Sequence, residues 1–127
     1  MSQSYAQDRP GYPADLFDWL VAQCSSRELA WDVATGSGQA AVGLSAHFQQ
    51  VIATDISEAM VAHAMSRPNI EYKAMPAEQS PCVSESADLV TVAQALHWFE
   101  FDQFWTEVIR SLKPGGFFAA WSYNWFA

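Results

Sequence analysis

Two glycines one residue apart, Gly36 and Gly38, follow a short apolar run and precede an Ala-rich segment. The run over residues 28–34 predicts a buried strand, and the segment from Gln39 to about Phe48 predicts a helix. A chain that passes directly from a strand into a helix needs a positive φ or a close backbone approach at the bend, which glycine supplies without steric cost. The bend lies at the carboxyl end of the strand, where open α/β sheets bind their ligands. We therefore expect the ligand site at this turn.

Further strands and helices alternate along the chain. Strands are predicted over residues 28–34, 50–54, 69–74, 87–95 and 117–125, and helices over residues 13–24, 39–48, 58–67 and 101–112. Ser57 is the predicted N-cap of the third helix, and Pro68 is expected to mark its end. Because strands that alternate with helices imply a parallel sheet with right-handed crossovers, the sequence predicts one doubly wound α/β domain over residues 1–127.

The clearest helical periodicity lies in the last predicted helix. Six apolar residues there fall on one face of a helix, and they are Phe101, Phe104, Trp105, Val108, Ile109 and Leu112. Residues 113–116, Lys-Pro-Gly-Gly, are predicted to end this helix, because proline cannot continue it and glycine can turn the chain.

Composition narrows the class of function. The 127 residues carry a formal charge of −8 with only six Lys and Arg, which disfavours a nucleic-acid partner because phosphate contacts depend on these residues. No apolar run approaches membrane-spanning length, and no signal segment begins the chain, so we expect a cytoplasmic protein without a membrane partner. Cys24 and Cys82 lack metal-ligand spacing and are expected to be reduced thiols, so no metal site is predicted.

The glycine pattern leaves two classes of ligand open. Gly36-x-Gly38-x-x-Ala41 fits the dinucleotide fingerprint, and Asp55 ends the second strand where a ribose-binding acid belongs. Asp32 favours a different ligand, because a pyrophosphate gains nothing from a negative charge four residues before Gly36. A cofactor with an ammonium group would gain from that charge, directly or through an ordered water. Alternatively, Asp32 only holds the turn through backbone amides.

Several motifs together resemble the class I S-adenosylmethionine-dependent methyltransferases, in particular the small-molecule branch that includes trans-aconitate and quinone-biosynthesis enzymes. The matching segments follow the family order over nearly the whole chain. Residues 5–13 resemble an N-terminal lid, which we place at 1–13, residues 32–38 the acid-x-x-x-Gly-x-Gly motif, and residues 55–60 the ribose-binding segment. Residues 76–78 resemble the adenine loop, residues 94–99 the end of the fourth strand, and residues 113–116 the turn before the fifth strand. The resemblance implies S-adenosylmethionine as cofactor and methyl transfer to a small-molecule acceptor, with S-adenosylhomocysteine as product.

The same resemblance implies a set of cofactor-binding residues. They are Asp32, Ala34, Gly36, Ser37, Gly38, Asp55, Ile56, Met60, Ala77, Glu78, Gln94 and Ala95. Asp55 is expected to accept hydrogen bonds from both ribose hydroxyls. His97 is a candidate general base or acceptor-orienting group, with a structural histidine as the alternative, and no catalytic residue is assigned. Tyr5 and Tyr12 either shield the sulfonium or pack beneath the first helix.

The resemblance also implies a Rossmann-like sheet of strand order 3-2-1-4-5. A complete family domain adds an antiparallel hairpin beyond the fifth strand, which this chain is expected to lack because it ends at Ala127. The fifth strand and the aromatic segment 117–126 would then form an exposed edge, so a homodimer through this strand is expected. Two alternatives to methyl transfer stay open: a truncated domain that binds the cofactor without catalysis, and an NAD-dependent oxidoreductase.

Overall fold

A five-stranded sheet forms the centre of the computed structural model, which describes residues 12–93 and 100–121. The strands are β1 (Leu29–Val33), β2 (Gln50–Asp55), β3 (Ile70–Ala74), β4 (Ala87–Ala93) and β5 (Leu112–Trp121). The helices are α1 (Ala14–Ala22), α2 (Gln39–Ser45), α3 (Glu58–His63) and α4 (Phe101–Ser111). The order is β3-β2-β1-β4-β5 and every pairing in this described part is parallel. The predicted doubly wound Rossmann-like fold and strand order are confirmed, and no antiparallel hairpin occurs within these residues.

Two apolar layers cover the faces of the sheet. Side chains of α1 and α2, including Phe17, Leu20 and Leu44, pack on one face. Phe104 and Val108 of α4 pack on the other face together with the fully buried Trp31. Successive strand residues point to opposite faces, so β1 contributes side chains to both layers and is buried on both faces.

Two helices end earlier than their apolar patterns predict. α2 ends at Ser45 instead of Phe48, although the Phe48 side chain is still buried in the core. α3 begins as predicted, with the Ser57 hydroxyl accepting the Met60 amide at 3.2 Å, but it ends at His63, well before Pro68. The chain leaves α3 because the Met65 amide donates to the Ser37 carbonyl, 3.1 Å away, in place of a bond within the helix.

The buried face of α4 is narrower than its periodicity predicts. Phe104 and Val108 are buried, whereas Phe101 is 45% exposed and Ile109 is 71% exposed. The six apolar residues that the spacing places on one helical face are therefore not all buried. A helix on a sheet covers only the stripe that touches it, and the part of the chain described here places nothing over Phe101 or Ile109.

The prediction that residues 113–116 form a turn ahead of the last strand was wrong. These residues lie within β5. Ala87 pairs with Leu112 and Leu89 with Phe117, so the segment bulges out of the β4–β5 ladder. Gly115 takes a φ of +82° in this bulge. Lys113 anchors it, because its Nζ lies 2.7 Å from a Glu28 oxygen and 3.1 Å from the Asp88 carboxylate.

Across the described ranges, no helix is both long enough and apolar enough to cross a membrane. Cys24 and Cys82 are free thiols, as predicted.

Candidate functional site

A cavity of about 210 Å³ opens beside the turn between β1 and α2, at the carboxyl ends of β1 and β4. Its walls come from the turn, from the start of α2, from the end of β4 and from the residue two positions before α1. They are Tyr12, Ala34, Thr35, Gly36, Ser37, Gln39, Ala40 and Ala93. The cavity therefore lies where an open parallel sheet places its ligands. Three of the predicted cofactor residues, Ala34, Gly36 and Ser37, line it.

The turn is built from three residues with positive φ. Gly36 and Gly38 have φ values of +59° and +90°, which agrees with the conformational role predicted for the two glycines. Ala34 also has a φ of +55°, which the sequence did not indicate. Left-handed backbone is unfavourable for a residue with a Cβ, so the surrounding contacts hold Ala34 in a strained conformation.

Asp55 connects the end of β2 to this turn. Its Oδ2 accepts the Gly36 amide at 2.9 Å, and its Oδ1 accepts the Ser57 amide at 2.9 Å. The first bond spans two neighbouring parallel strands, and the second shapes the start of α3. Asp55 is half-buried, so its carboxylate still meets the outside of the molecule.

Two apolar side chains stand in the open beside Asp55. Ile56 is 75% exposed and Met60 is 41% exposed. The Met60 Cε lies only 3.6 Å from the point where a Cβ on Gly36 would stand, so Met60 reaches the glycine turn. Exposed apolar surface next to a carboxylate suits a ligand with both a flat apolar part and hydroxyl groups.

Asp32 is buried beneath the cavity, with 1% of its surface exposed. Its two oxygens accept the hydroxyls of Thr35 at 2.6 Å and Thr91 at 2.7 Å. Burial, with a smaller contribution from the nearby Asp55 charge, raises the pKa of Asp32 to about 6, against the lowering effect of these two hydrogen bonds. Asp32 thus supports the turn through the Thr35 hydroxyl, and not through backbone amides as one alternative held.

The predicted adenine loop lies after β3. Ala77 is half-buried against the α4 layer, and Glu78 accepts the Glu100 amide at 2.8 Å. Glu78 therefore tethers the residue that precedes α4.

Other predicted positions lie outside the described residues. They are Gln94, Ala95, His97 and residues 1–11 of the lid, together with the aromatic segment beyond Trp121. Tyr12 is described: it lines the cavity and meets Trp121 edge-on, with ring centroids 5.5 Å apart. It also packs against the α1–α2 core layer, while its role toward a sulfonium stays a prediction.

Sequence reasoning missed Thr35 and Thr91 as partners of Asp32. One signal was available for Thr91, which is a polar residue between the apolar Val90 and Val92 of β4. Thr35 follows Asp32 by three residues, which suits contact across a turn. The apolar pattern alone could not reveal that both hydroxyls reach the same carboxylate.

Comparison with known proteins assigns this arrangement to a family. A family profile described as a methyltransferase domain matches residues 31–120. The chain is 40% identical over 125 residues to a provisionally named methyltransferase of Dictyostelium discoideum. This alignment covers 98% of the chain and 48% of the Dictyostelium protein. The chain is 30% identical over 131 residues to a Saccharomyces cerevisiae protein provisionally named as an S-adenosylmethionine-dependent methyltransferase, covering 96% and 45%.

A solved structure extends the similarity to three dimensions. The chain matches a provisionally named type II methyltransferase from Anaeromyxobacter dehalogenans with a TM-score of 0.84 and 43% identity, covering 88% of this chain and 48% of that one. The chain thus spans about half the length of these relatives.

Proposed function

This chain belongs to the class I S-adenosylmethionine-dependent methyltransferases, and we propose that it binds S-adenosylmethionine at the glycine turn and methylates a small-molecule acceptor. The observation that carries the proposal is the hydrogen bond from the Gly36 amide to the Asp55 carboxylate. It joins the acid that ends β2 to a residue that lines the cavity, so two motifs of the family resemblance meet at one place.

The chemistry of the described residues fits this cofactor. A carboxylate offers about four lone-pair sites, and two of those on Asp55 accept backbone amides, so the remaining ones suit the two ribose hydroxyls. Ile56 and Met60 supply exposed apolar surface for the adenine ring. Among residues 12–93 and 100–121, only the Met60 Cε lies close to the Cβ position of Gly36, so a ligand can lie against the backbone there.

Asp32 is proposed to act from beneath the site. Because only 1% of the Asp32 surface is exposed, its charge reaches a ligand ammonium group through the cavity wall and not by direct contact. Thr35 and Thr91 hold its two oxygens in place. A cation in the cavity would favour the ionised carboxylate, so we expect the affinity for such a ligand to rise with pH as Asp32 ionises near pH 6.

When bound, S-adenosylmethionine supplies an electrophilic methyl group on a sulfonium centre. The chain's own part is to bind and orient: Asp55 holds the sugar and the Gly36 backbone holds the centre of the ligand. Alignment of a nucleophile that is already activated supplies much of the rate of such a transfer. No catalytic residue is proposed; His97 stays a candidate to orient the acceptor or take its proton.

A small molecule is proposed as the acceptor because the formal charge of −8 opposes a nucleic-acid backbone. The second candidate function is binding of the cofactor without catalysis, which a methyl-transfer assay tests. The NAD-dependent alternative is set aside, since the family match is to methyltransferases.

Calorimetry tests the proposal in two stages. S-adenosylhomocysteine is expected to bind the purified chain with one site, and NAD is expected to give no heat above dilution. A methyl-transfer assay with a panel of small carboxylates, phenols and quinols then separates catalysis from binding alone. Binding of NAD in place of S-adenosylhomocysteine would overturn the proposed function.

A cytoplasmic location is also proposed, because both cysteines are free thiols whose pKa values are raised by burial, as suits a reducing compartment. Fractionation of cells that express the tagged chain would test this, and recovery in a secreted or membrane fraction would contradict it.

A further inference from the structure

The two glycines of the turn face different surroundings. At Gly36, a Cβ would meet only the Met60 Cε among the described atoms, at an ordinary 3.6 Å. At Gly38, a Cβ would overlap the hydroxyl oxygen of Tyr72 and would lie 3.2 Å from its Cζ and 3.4 Å from its Cε1. The absence of a side chain at position 38 therefore makes room for a tyrosine of this chain, whereas the absence of one at position 36 leaves space beside the cavity.

Tyr72 reaches the turn from a distant strand. It lies on β3, which is separated from β1 by β2, and its ring packs against the core layer under α1 and α2. Its hydroxyl donates to the Met65 carbonyl in the segment after α3. Burial and the Asp32 charge raise the pKa of Tyr72, so the hydroxyl keeps the proton that it donates.

The Met65 peptide continues this connection to the cavity. Its carbonyl accepts the Tyr72 hydroxyl, and its amide donates to the Ser37 carbonyl at 3.1 Å. Ser37 lines the cavity, between the two glycines. The phenol, the Met65 backbone and the turn thus form one continuous set of contacts, which holds the turn in addition to the Asp55 carboxylate.

We infer that Tyr72 is a positioning residue of the cofactor site: its phenol fills the space beside Gly38 and ties the segment after α3 to the glycine turn. The inference rests on the proposed function, in that the ligand held by the turn is S-adenosylmethionine. It also divides the roles of the glycines, because Gly36 meets the ligand and Gly38 meets Tyr72.

The first test removes only the hydroxyl. Tyr72→Phe is expected to weaken S-adenosylhomocysteine binding by about 3- to 10-fold in calorimetry, the effect of losing one hydrogen bond. The matched control is Ser86→Ala, which also removes a hydroxyl that donates to a backbone carbonyl, that of Val83 at 2.6 Å. Ser86 directly precedes β4, at the amino-terminal end of that strand and away from the glycine turn. The control is expected to lower the melting temperature by a similar amount and to leave the affinity unchanged. Equal affinities in Tyr72→Phe and the wild type would overturn the inference.

The second test is a double-variant cycle between positions 38 and 72. Gly38→Ala is expected to weaken binding by at least 10-fold and to destabilise the fold, because its Cβ overlaps the Tyr72 hydroxyl. Adding Tyr72→Phe removes the overlapping atom and leaves contacts of 3.2 Å and longer, so it should restore several-fold of the lost affinity. If Gly38→Ala causes the same loss in both backgrounds, position 38 acts on the ligand directly and the inference is wrong.

Two further measurements separate the possible failures. If the wild type does not bind S-adenosylhomocysteine, the proposed function fails, while coupling between the two substitutions in the free energy of unfolding still tests the contact. If Gly38→Ala does not fold, hydrogen exchange at the Met65 amide in Tyr72→Phe replaces the cycle. Faster exchange there supports the inference, and unchanged exchange overturns it.

Discussion

The amide of Gly36 donates to the Asp55 carboxylate across 2.9 Å, so the acid at the end of β2 is bonded to the glycine turn at the end of β1. One carboxylate thereby shapes the turn, and it is also the group proposed to hold the ribose of the ligand. A substitution at position 55 must act on both, and its interpretation needs a control that changes only the local structure.

Asp55→Ala is predicted to weaken S-adenosylhomocysteine binding by about 10- to 100-fold, because the charge-assisted bonds to the ribose are lost. The fold should persist, since the residue is only half-buried. Ser57→Ala is the control: it removes the cap on the Met60 amide, at a cost of about 1 kcal/mol in stability, but keeps the carboxylate. Calorimetry that found equal affinities for the two variants would remove Asp55 from the site.

Gly36→Ala and Gly36→Val are both predicted to abolish measurable binding, because a side chain would enter the space beside the cavity. Gly115→Ala is the matched control, since Gly115 also has a positive φ and open space around its Cβ position. Both alanine variants should lose about 1–2 kcal/mol of stability from the left-handed backbone. Retained binding in Gly36→Ala would contradict the proposed site.

The free energy of unfolding of the wild type is predicted to fall, relative to that of Asp32→Asn, as the pH rises from about 4 to 7. The pKa of Asp32 is raised by burial to about 6, above its value in the unfolded chain. The folded state therefore binds the proton more tightly, and the stability from this group is complete at low pH and lost as pH rises through 6. The full difference is about 3 kcal/mol, and urea unfolding at several pH values measures it.

Asp88→Asn provides a control of opposite sign for that experiment. Burial opposes ionisation of Asp88, but hydrogen bonds from Ser26, the Leu29 amide and Lys113 outweigh it and lower its pKa. The wild type should therefore gain stability over Asp88→Asn as the pH rises through the acidic range. Parallel pH profiles for the wild type and Asp32→Asn would show that Asp32 does not ionise as proposed.

The 127-residue polypeptide is predicted to self-associate through β5. This strand lies at an outer position of the described sheet, and its half-buried Phe117 and Phe118 pack on opposite faces beside Trp19 and Trp105. An unpaired apolar edge offers free backbone donors and acceptors to a second copy. Light scattering should show an average mass that rises with protein concentration. After removal of residues 123–127, this rise should be smaller. A single monomeric mass for both forms at high concentration would exclude the interface.

Much of the architecture could be predicted because its signals are local. Alternating apolar runs indicated the parallel sheet, and the spacing of Gly36 and Gly38 indicated the turn. Ser57 was predicted as an N-cap from its neighbours alone, and it caps α3. Each of these features depends on residues that are close together in the chain, so residue type and spacing suffice.

The boundaries and the bulge could not be predicted in the same way. α3 ends where Met65 bonds to Ser37, and residues 113–116 lie within β5, where Lys113 meets Glu28 and Asp88. These contacts join segments that are far apart in the chain, and no local pattern encodes them. The exposed Ile109 likewise follows from the width of the sheet contact and not from the helical period.

The sequence by itself determined the doubly wound fold, the strand order through the family resemblance, and the position of the glycine turn with Asp55 beside it. Only the tertiary structure decided that Asp32 is buried against Thr91, that Ala34 has a positive φ, and that Tyr72 occupies the space next to Gly38. The physical reason is packing: which side chain fills a given space depends on how strands and helices distant in the chain come together, and that is settled only when the whole core has formed.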